Sequence, residues 1–251
     1  MALPWRNWVL PPPIDNSSAI HPYRSTNKKF TTIIYKPMTT RLIFIRHAQS
    51  TWNEVRRWQG HANPPLAENG RRQATLLAQR LAKWKIDCLY TSDLARAAET
   101  AEIVGAALGI TPILDPLWRE RGFGALEGLT SEEIAVQFPE AWASRMVGPM
   151  TGVSGAEMQT DVVVRSSVAC SNLLTRHQDQ TVAIVSHGGM ILTTLVHLLG
   201  LPPSGHSLLV VGRNTSISRV TIEDGHARLV GLNDVAHLEF LDVAHLEFLD
   251  V

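Results

Sequence analysis

The stretch Leu42-Ile43-Phe44-Ile45-Arg46-His47-Ala48 decides the fold. Four apolar residues run without a break, as in a strand buried on both faces. Such strands belong to parallel sheets covered by helices on both sides. The run then ends on an arginine and a histidine. In sheets of this kind, ligands sit beyond the carboxyl ends of the strands. The same seven residues therefore predict a fold class and point to where its chemistry belongs.

Outward from this run the order is regular. Residues 67–84 place Ala74, Leu77, Ala78 and Leu81 at helical spacing. Cys88-Leu89-Tyr90 reads as a second short strand. Ser92 or Asp93 is expected to cap a helix with the inner face Leu94, Ala97, Ala98, Ala101, Val104 and Leu108, ended by Gly109. Ile113-Leu114 predicts a further short strand, and residues 131–138 and about 156–176 predict helices. Val182-Ala183-Ile184-Val185 is the next buried strand, with a helix from Gly189 to Leu199. Leu208 to Gly212, Ser216 to Ile222 and Ala227 to Leu232 are expected as closing strands. The alternation predicts an α/β fold: a three-layer α-β-α sandwich around a mostly parallel central sheet.

Composition excludes several function classes. Of the 251 residues, 45% are apolar and 18% charged, which suits a packed globular core. Lys+Arg and Asp+Glu balance at 23 each, so overall charge gives no reason to expect nucleic acid or a charged membrane as partner. An anion site must be built locally. Cys88 and Cys170 lie in apolar periodic stretches and read as small buried hydrophobes in a reducing compartment. The first nine residues hold no long apolar core and Pro11-Pro12-Pro13 follows, unlike a signal peptide. Met190 to Leu201 is too short to cross a bilayer, which takes about 20 residues. The expectation is a soluble, cytoplasmic protein.

Residues 1–40 are rich in Pro, Ser, Thr and Asn and read as a flexible N-terminal extension, with Met38 a candidate start for the domain. The domain proper is expected over 41–239. Val-Ala-His-Leu-Glu-Phe-Leu-Asp occurs at 235–242 and again at 243–250. One repeat of eight residues is no solenoid. It reads as a duplication that hangs free rather than a partner-binding helix, within a C-terminal tail over 240–251.

Three strand ends carry polar residues. The first leads into Arg46 and His47. The second leads into Thr91, Ser92 and, one turn on, Arg96. The third leads into Ser186, His187 and Gly188. Parallel strands would bring all three to one edge, with two helix N-termini offering free backbone N–H groups. Two arginines, two histidines and two helix ends predict a phosphate site, because the arginine fork grips two phosphate oxygens. A neutral histidine flanked by arginines is a nucleophile, and spacing does not choose between His47 and His187. An acid is also required. Trp118-Arg119-Glu120-Arg121-Gly122-Phe123-Gly124 offers Glu120 in a glycine-containing loop. Taken singly, each residue has a blander account: a hydrogen-bonded histidine, a surface Arg96, or Glu120 as partner of Arg119 or Arg121. Only their convergence raises the set.

The motifs resemble those of the histidine phosphatase superfamily, the phosphoglycerate-mutase-like family. They are Arg46-His47-Ala48-Gln49-Ser50-Thr51-Trp52-Asn53; Gln59-Gly60 with Pro65-Leu66-Ala67-Glu68-Asn69-Gly70; Thr91-Ser92-Asp93-Leu94-Ala95-Arg96-Ala97; Arg119-Glu120 with Phe123-Gly124; and Ser186-His187-Gly188-Gly189. The similarity runs from about Thr40 to Glu239. The resemblance implies a phosphoglycerate-mutase-like fold and a phosphohistidine formed on His47. It also implies a phosphate pocket of Arg46, Arg96 and His187 with Gly188 beside it, and Glu120 as proton donor. It further implies Asn53 as a phosphate contact, Gln59 at the entrance, and no metal or other cofactor. The implied partner is a small phosphorylated metabolite, with a homodimer left open.

Two departures matter. Ala48 stands where the family usually has Gly, a small change. Cofactor-dependent mutases typically read Asn-Glu-Arg-His-Tyr-Gly where this chain has Arg119-Glu120-Arg121-Gly122-Phe123-Gly124. They also carry a lysine near the place of Ser131 and an arginine pair further on, where this chain has Arg145 alone. The resemblance therefore favours a phosphatase of broad specificity over a phosphoglycerate mutase, and over an inactive phospho-ligand or protein-binding relative. Trp58, Trp142, Met146 and Met150 are candidates for a tolerant apolar pocket, with simple packing as the plainer reading.

Overall fold

The computed structural model describes residues 38–144 and 150–239. The expected run becomes β1, Thr39–Arg46. Its side chains alternate between two cores. Leu42 and Phe44 join one apolar cluster, and Ile43 and Ile45 join another on the opposite face. The unbroken apolar pattern thus follows from burial on both sides.

The helices that cover these faces come from the predicted periodicities. α1 is the single turn Thr51–Glu54. α2, Glu68–Leu81, buries Ala74, Leu77, Ala78 and Leu81. β2 is Cys88–Thr91, and α3 is Ala95–Leu108. β3, Ile113–Leu114, is a two-residue edge strand. α4, Ser131–Gln137, opens on a capping box in which Thr130 and Glu133 satisfy each other's backbone N–H groups. α5 is Pro139–Ser144 and α6 is Gln159–Arg176. β4, Thr181–Ser186, leads into α7, Gly188–Leu198, and β5, Ile217–Glu223, and β6, His226–Asp234, close the sheet.

The sheet order is β3-β2-β4-β1-β5-β6. β3, β2, β4 and β1 are parallel, β5 pairs antiparallel with β1, and β6 pairs antiparallel with β5. Residues of α2 and α3 fill the core on one face, and residues of α6 and α7 fill it on the other. This is the three-layer α-β-α arrangement. A fully buried Leu or Ile contributes about 1.5–3 kcal/mol, so these two cores are the main stabilising term. Gly109 ends α3 at φ +68 as expected, because glycine alone adopts that conformation freely.

Four expectations change. Leu208 to Gly212 is not a strand, because the Val211 and Gly212 carbonyls accept from the Arg46 guanidinium instead of a neighbouring strand. Neither Ser92 nor Asp93 caps α3; Leu94 occupies the cap position without a side-chain bond. The Asp93 carboxylate is drawn away by Arg119, 2.7 Å from its Nε. α6 starts at Gln159 rather than near 156, because the Glu157 N–H donates to the Gly122 carbonyl. The start of the first repeat copy does not hang free: His237 and Leu238 are buried, and Arg80 of α2 grips Asp234 beside them. Residues 1–37, the remainder of the first copy and all of the second lie outside the described residues.

Candidate active site

Strand register assembles the site. Arg46 pairs with Ser186 across β1 and β4, and Thr91 pairs with Val185 across β2 and β4. The three strands therefore end level. The ladder continues one residue further: the His47 N–H donates to the Ser186 carbonyl at 2.8 Å, and the Ser92 N–H to the Val185 carbonyl at 3.0 Å. The His47 and His187 rings end up 5.1 Å apart. Arg96, the second residue of α3, is buried, as are both histidines. The sheet edge thus brings together Arg46, His47, Arg96 and His187.

Backbone carbonyls hold both arginines. Arg96 donates to the Gly60 and Ala62 carbonyls at 2.8 and 2.9 Å. Yet Arg46 Nε, Arg96 Nε and His187 Nδ1 are buried without a hydrogen-bond partner. An unmet buried donor costs about 1–3 kcal/mol, more if charged. The two guanidinium N–H groups among them suit an acceptor-rich anion.

The ring orientation of His47 follows from its neighbour. Nδ1 lies 2.7 Å from the Ala48 carbonyl oxygen. A carbonyl only accepts, so Nδ1 carries the hydrogen and Nε2 carries the lone pair. Asn214 donates to the His47 carbonyl at 2.9 Å. Thr215 sits at φ +56, a costly conformation for a β-branched residue, and its N–H donates to the Arg46 carbonyl. The Thr215 N–H, shared with the His47 carbonyl at 3.3 Å, ties this turn to the end of β1 and offsets the strain.

Glu120 occupies the start of α7. Its Oε2 accepts from the Gly189 N–H at 3.0 Å, and its Oε1 from Met190 and Arg121 N–H groups at 3.1 and 2.9 Å. This corrects the expectation of two open helix N-termini. At α7 the carboxylate takes the N–H groups, and at α3 the Asn63 side chain takes that of Ala95. An acid at a helix start is favoured by the dipole. The Arg119 guanidinium pairs with Asp93 and the Arg121 guanidinium bonds the Glu157 and Met150 carbonyls, so Glu120 meets Arg121 through the backbone N–H alone. The Glu120 carbonyl is held in turn by His61 Nε2 at 2.8 Å and by Arg165 at 3.2 Å.

Asn53 and Gln59 stand at the edge of the same loop. Asn53 Oδ1 accepts from the Ser50 backbone and hydroxyl, both at 3.0 Å, and lies 3.4 Å from Asn214 Nδ2. Gln59 Oε1 accepts from the Ser50 hydroxyl at 2.8 Å. Gly188 lies against the Arg46 guanidinium. Trp58, Trp142 and Met150 belong to a small apolar core with Leu126 and Ile134, so packing explains them; Met146 lies outside the described residues. Sequence reading missed Asn214, Glu127, Glu157 and Arg165. Glu127 accepts from the His61, Ala62 and Phe123 N–H groups, and Arg165 pairs with Glu157 at 2.9 Å. Only Asn214 carried a signal, a Gly-Arg-Asn turn after an apolar run.

Burial dominates the electrostatics. It lowers the pKa values of Arg46 and Arg96, the latter to about 10, with Glu120 partly opposing the effect. His47 is held well below 6.5 by burial and then by Arg96 and Arg46. His187 is lowered likewise, by burial and then by Arg96, His47 and Arg46. Both rings are therefore neutral near neutral pH, while both guanidinium groups stay charged. Among the described residues, no three His, Cys, Asp or Glu side chains are grouped as a metal ion would need.

The model of the histidine phosphatase superfamily, branch 1, matches residues 42–235. The chain belongs to this superfamily. Among histidine phosphatase relatives, a Yersinia pestis protein named probable phosphoglycerate mutase GpmB is 34% identical over 202 residues, covering 78% of this chain and 93% of that one. A mycobacterial glucosyl-3-phosphoglycerate phosphatase solved with VO3 superposes with a TM-score of 0.72 at 31% identity, covering 77% and 98% of the two chains. A phosphoserine phosphatase variant from Entamoeba histolytica in complex with phosphoserine gives 0.71 at 29%, covering 79% and 99%. No helix among the described residues is long and apolar enough to cross a membrane.

Proposed function

We propose that this histidine phosphatase hydrolyses phosphomonoesters through a phosphohistidine on His47. One observation carries the reading: two buried, unpartnered guanidinium N–H groups, Arg46 Nε and Arg96 Nε, and the unpartnered His187 Nδ1 lie with a buried, neutral His47. The guanidinium N–H groups suit the equatorial oxygens of a transferring phosphoryl group, and their charges stabilise it. The His47 Nε2 lone pair forms the P–N bond as the ester P–O bond breaks. Glu120 protonates the leaving oxygen. In the second step water attacks phosphorus, Glu120 takes its proton, and the P–N bond breaks. Every step uses side chains of this chain alone.

The names of the relatives include both hydrolases and a probable mutase. Cation placement supports hydrolysis. Ser131, where a mutase lysine would stand, accepts from Trp58 Nε1 at 3.2 Å. The nearby Arg57 is committed to Glu133 at 2.9 Å. Neither offers a free cation for a second phosphate; Arg145 lies outside the described residues. The substrate is a small phosphorylated metabolite in this reading. Phosphate release from a panel of such metabolites, ranked by kcat/KM and run beside a mutase assay with bisphosphoglycerate, tests it. Hydrolysis should dominate. Mutase turnover far above hydrolysis would overturn the reading, and inertness on the whole panel would favour a non-catalytic binding role.

A further inference from the structure

We propose that Ser92 is a positioning residue that sets the ring tautomer of His187, so that His187 presents an N–H rather than a lone pair to the phosphoryl oxygens. The inference rests on the reading of the crevice as a phosphate site. It concerns a residue that the motif places beside Arg96 and for which capping, its expected task, is excluded by the helix start at Ala95.

The Ser92 hydroxyl is fully buried and has two partners among the described residues. The Leu94 N–H donates to its oxygen at 3.2 Å, and His187 Nε2 lies 2.9 Å away. His187 has one further ring nitrogen, Nδ1, buried and without a partner. Two arrangements fit the 2.9 Å contact. If His187 carried its hydrogen on Nε2, it would donate to Ser92. The Ser92 hydrogen would then have no acceptor, and the Nδ1 lone pair would face the anion. If Ser92 donates to Nε2 instead, every group is used: the Leu94 N–H, the Ser92 O–H, and an Nδ1–H that points its hydrogen at the ligand. Burial of all these atoms makes the unused hydrogen costly, which selects the second arrangement.

The two histidines then carry hydrogen on the same nitrogen but do opposite work. On His47 the Ala48 carbonyl takes the Nδ1–H and leaves a lone pair for phosphorus. On His187 the Ser92 hydroxyl takes the Nε2 lone pair and leaves an N–H for oxygen. Because burial and the two arginines keep His187 neutral, it has a single N–H to place, so its tautomer decides whether it attracts or repels a phosphoryl oxygen.

Long-range 1H–15N correlation spectra of the full-length enzyme, with 15N-labelled histidine and His187→Gln for assignment, test this near neutral pH without needing turnover. We expect His187 protonated on Nδ1 and not on Nε2, and orthovanadate to perturb that Nδ1–H. Ser92→Ala should yield a tautomer mixture and weaken vanadate binding by about tenfold or more, the scale of one hydrogen bond to a charged group. Loss of the Leu94 contact alone would lower stability and leave the tautomer unchanged. An Nε2-protonated His187 in the wild type overturns the proposal, as does a folded Ser92→Ala variant with the wild-type tautomer and vanadate affinity. If the protein binds no vanadate and releases no phosphate, the phosphatase reading fails, while the wild-type tautomer still decides the role of Ser92.

Discussion

His47 Nδ1 lies 2.7 Å from the carbonyl oxygen of Ala48, the next residue in the chain. The contact binds the ring hydrogen to the backbone and turns the opposite nitrogen, with its lone pair, toward the crevice. Burial and two arginines keep that lone pair free of a proton. His47→Ala should bring phosphate release below detection and abolish trapping of an acid-labile phosphoenzyme, while thermal melting shows a folded protein. Near-normal turnover in this variant would exclude the mechanism.

The pH dependence of kcat/KM follows from the same burial. Because the His47 pKa is pushed below 6.5, the ring stays unprotonated and nucleophilic as pH falls through 6.5. The acid limb of the free-enzyme profile should lie below pH 6.5. A limb at or above that value, with a substrate whose own ionisation is accounted for, would contradict the electrostatic account.

Stability should fall on the acid side for a related reason. His47 and His187 are held well below 6.5 and His237 at about 4, so the unfolded chain binds more protons than the native one below pH 6.5. Their contribution is present above pH 6.5 and is lost as pH falls through the folded values. The urea midpoint should decline between pH 6.5 and 4. His237→Gln should flatten part of that decline, because His237 donates to Thr215 Oγ1 from Nε2 at 3.0 Å without taking part in the chemistry.

Glycine at 189 makes room for the Glu120 carboxylate. A Cβ there would meet Glu120 Oε1 at 2.6 Å. Alanine suits a helix at least as well as glycine, so Gly189→Ala should keep the fold and displace the acid. The expected outcome is a fall of about tenfold in kcat/KM for alkyl phosphates, whose leaving oxygens need a proton, with activated aryl phosphates nearly spared. Glu120→Gln should show the same selectivity at about 10²-fold or more. Equal losses on both substrate types would argue against the assigned role of Glu120.

Arg165 holds the segment that carries the acid. It donates to the Leu117, Arg119 and Glu120 carbonyls and pairs with the partly buried Glu157. Removing it strands the Glu157 charge, which costs about 3–5 kcal/mol when buried and somewhat less at this exposure. Arg165→Ala should lower the denaturant midpoint accordingly and reduce kcat for alkyl phosphates. An unchanged midpoint would mean that the ion pair is not a significant support.

Much of this molecule was determined by sequence alone. The apolar run into Arg46 and His47 specified a strand buried on both faces, and its alternate residues feed two cores. Helical periodicity specified α2 and α3, and Gly109 the end of the latter, because these are local demands of backbone and burial. Tertiary structure decided the rest. Asn214 reaches His47 across 167 residues, and Arg165 reaches Glu120 across 45, distances over which no local pattern operates. The same holds for competition: Leu208 to Gly212 carries a strand-like pattern, yet its carbonyls serve Arg46, and the helix starts expected to be open are occupied by Glu120 and Asn63. Residue type shows that a group needs a hydrogen-bond partner. Only the packed chain decides which partner arrives first, because burial forces each polar group to take what lies within about 3 Å.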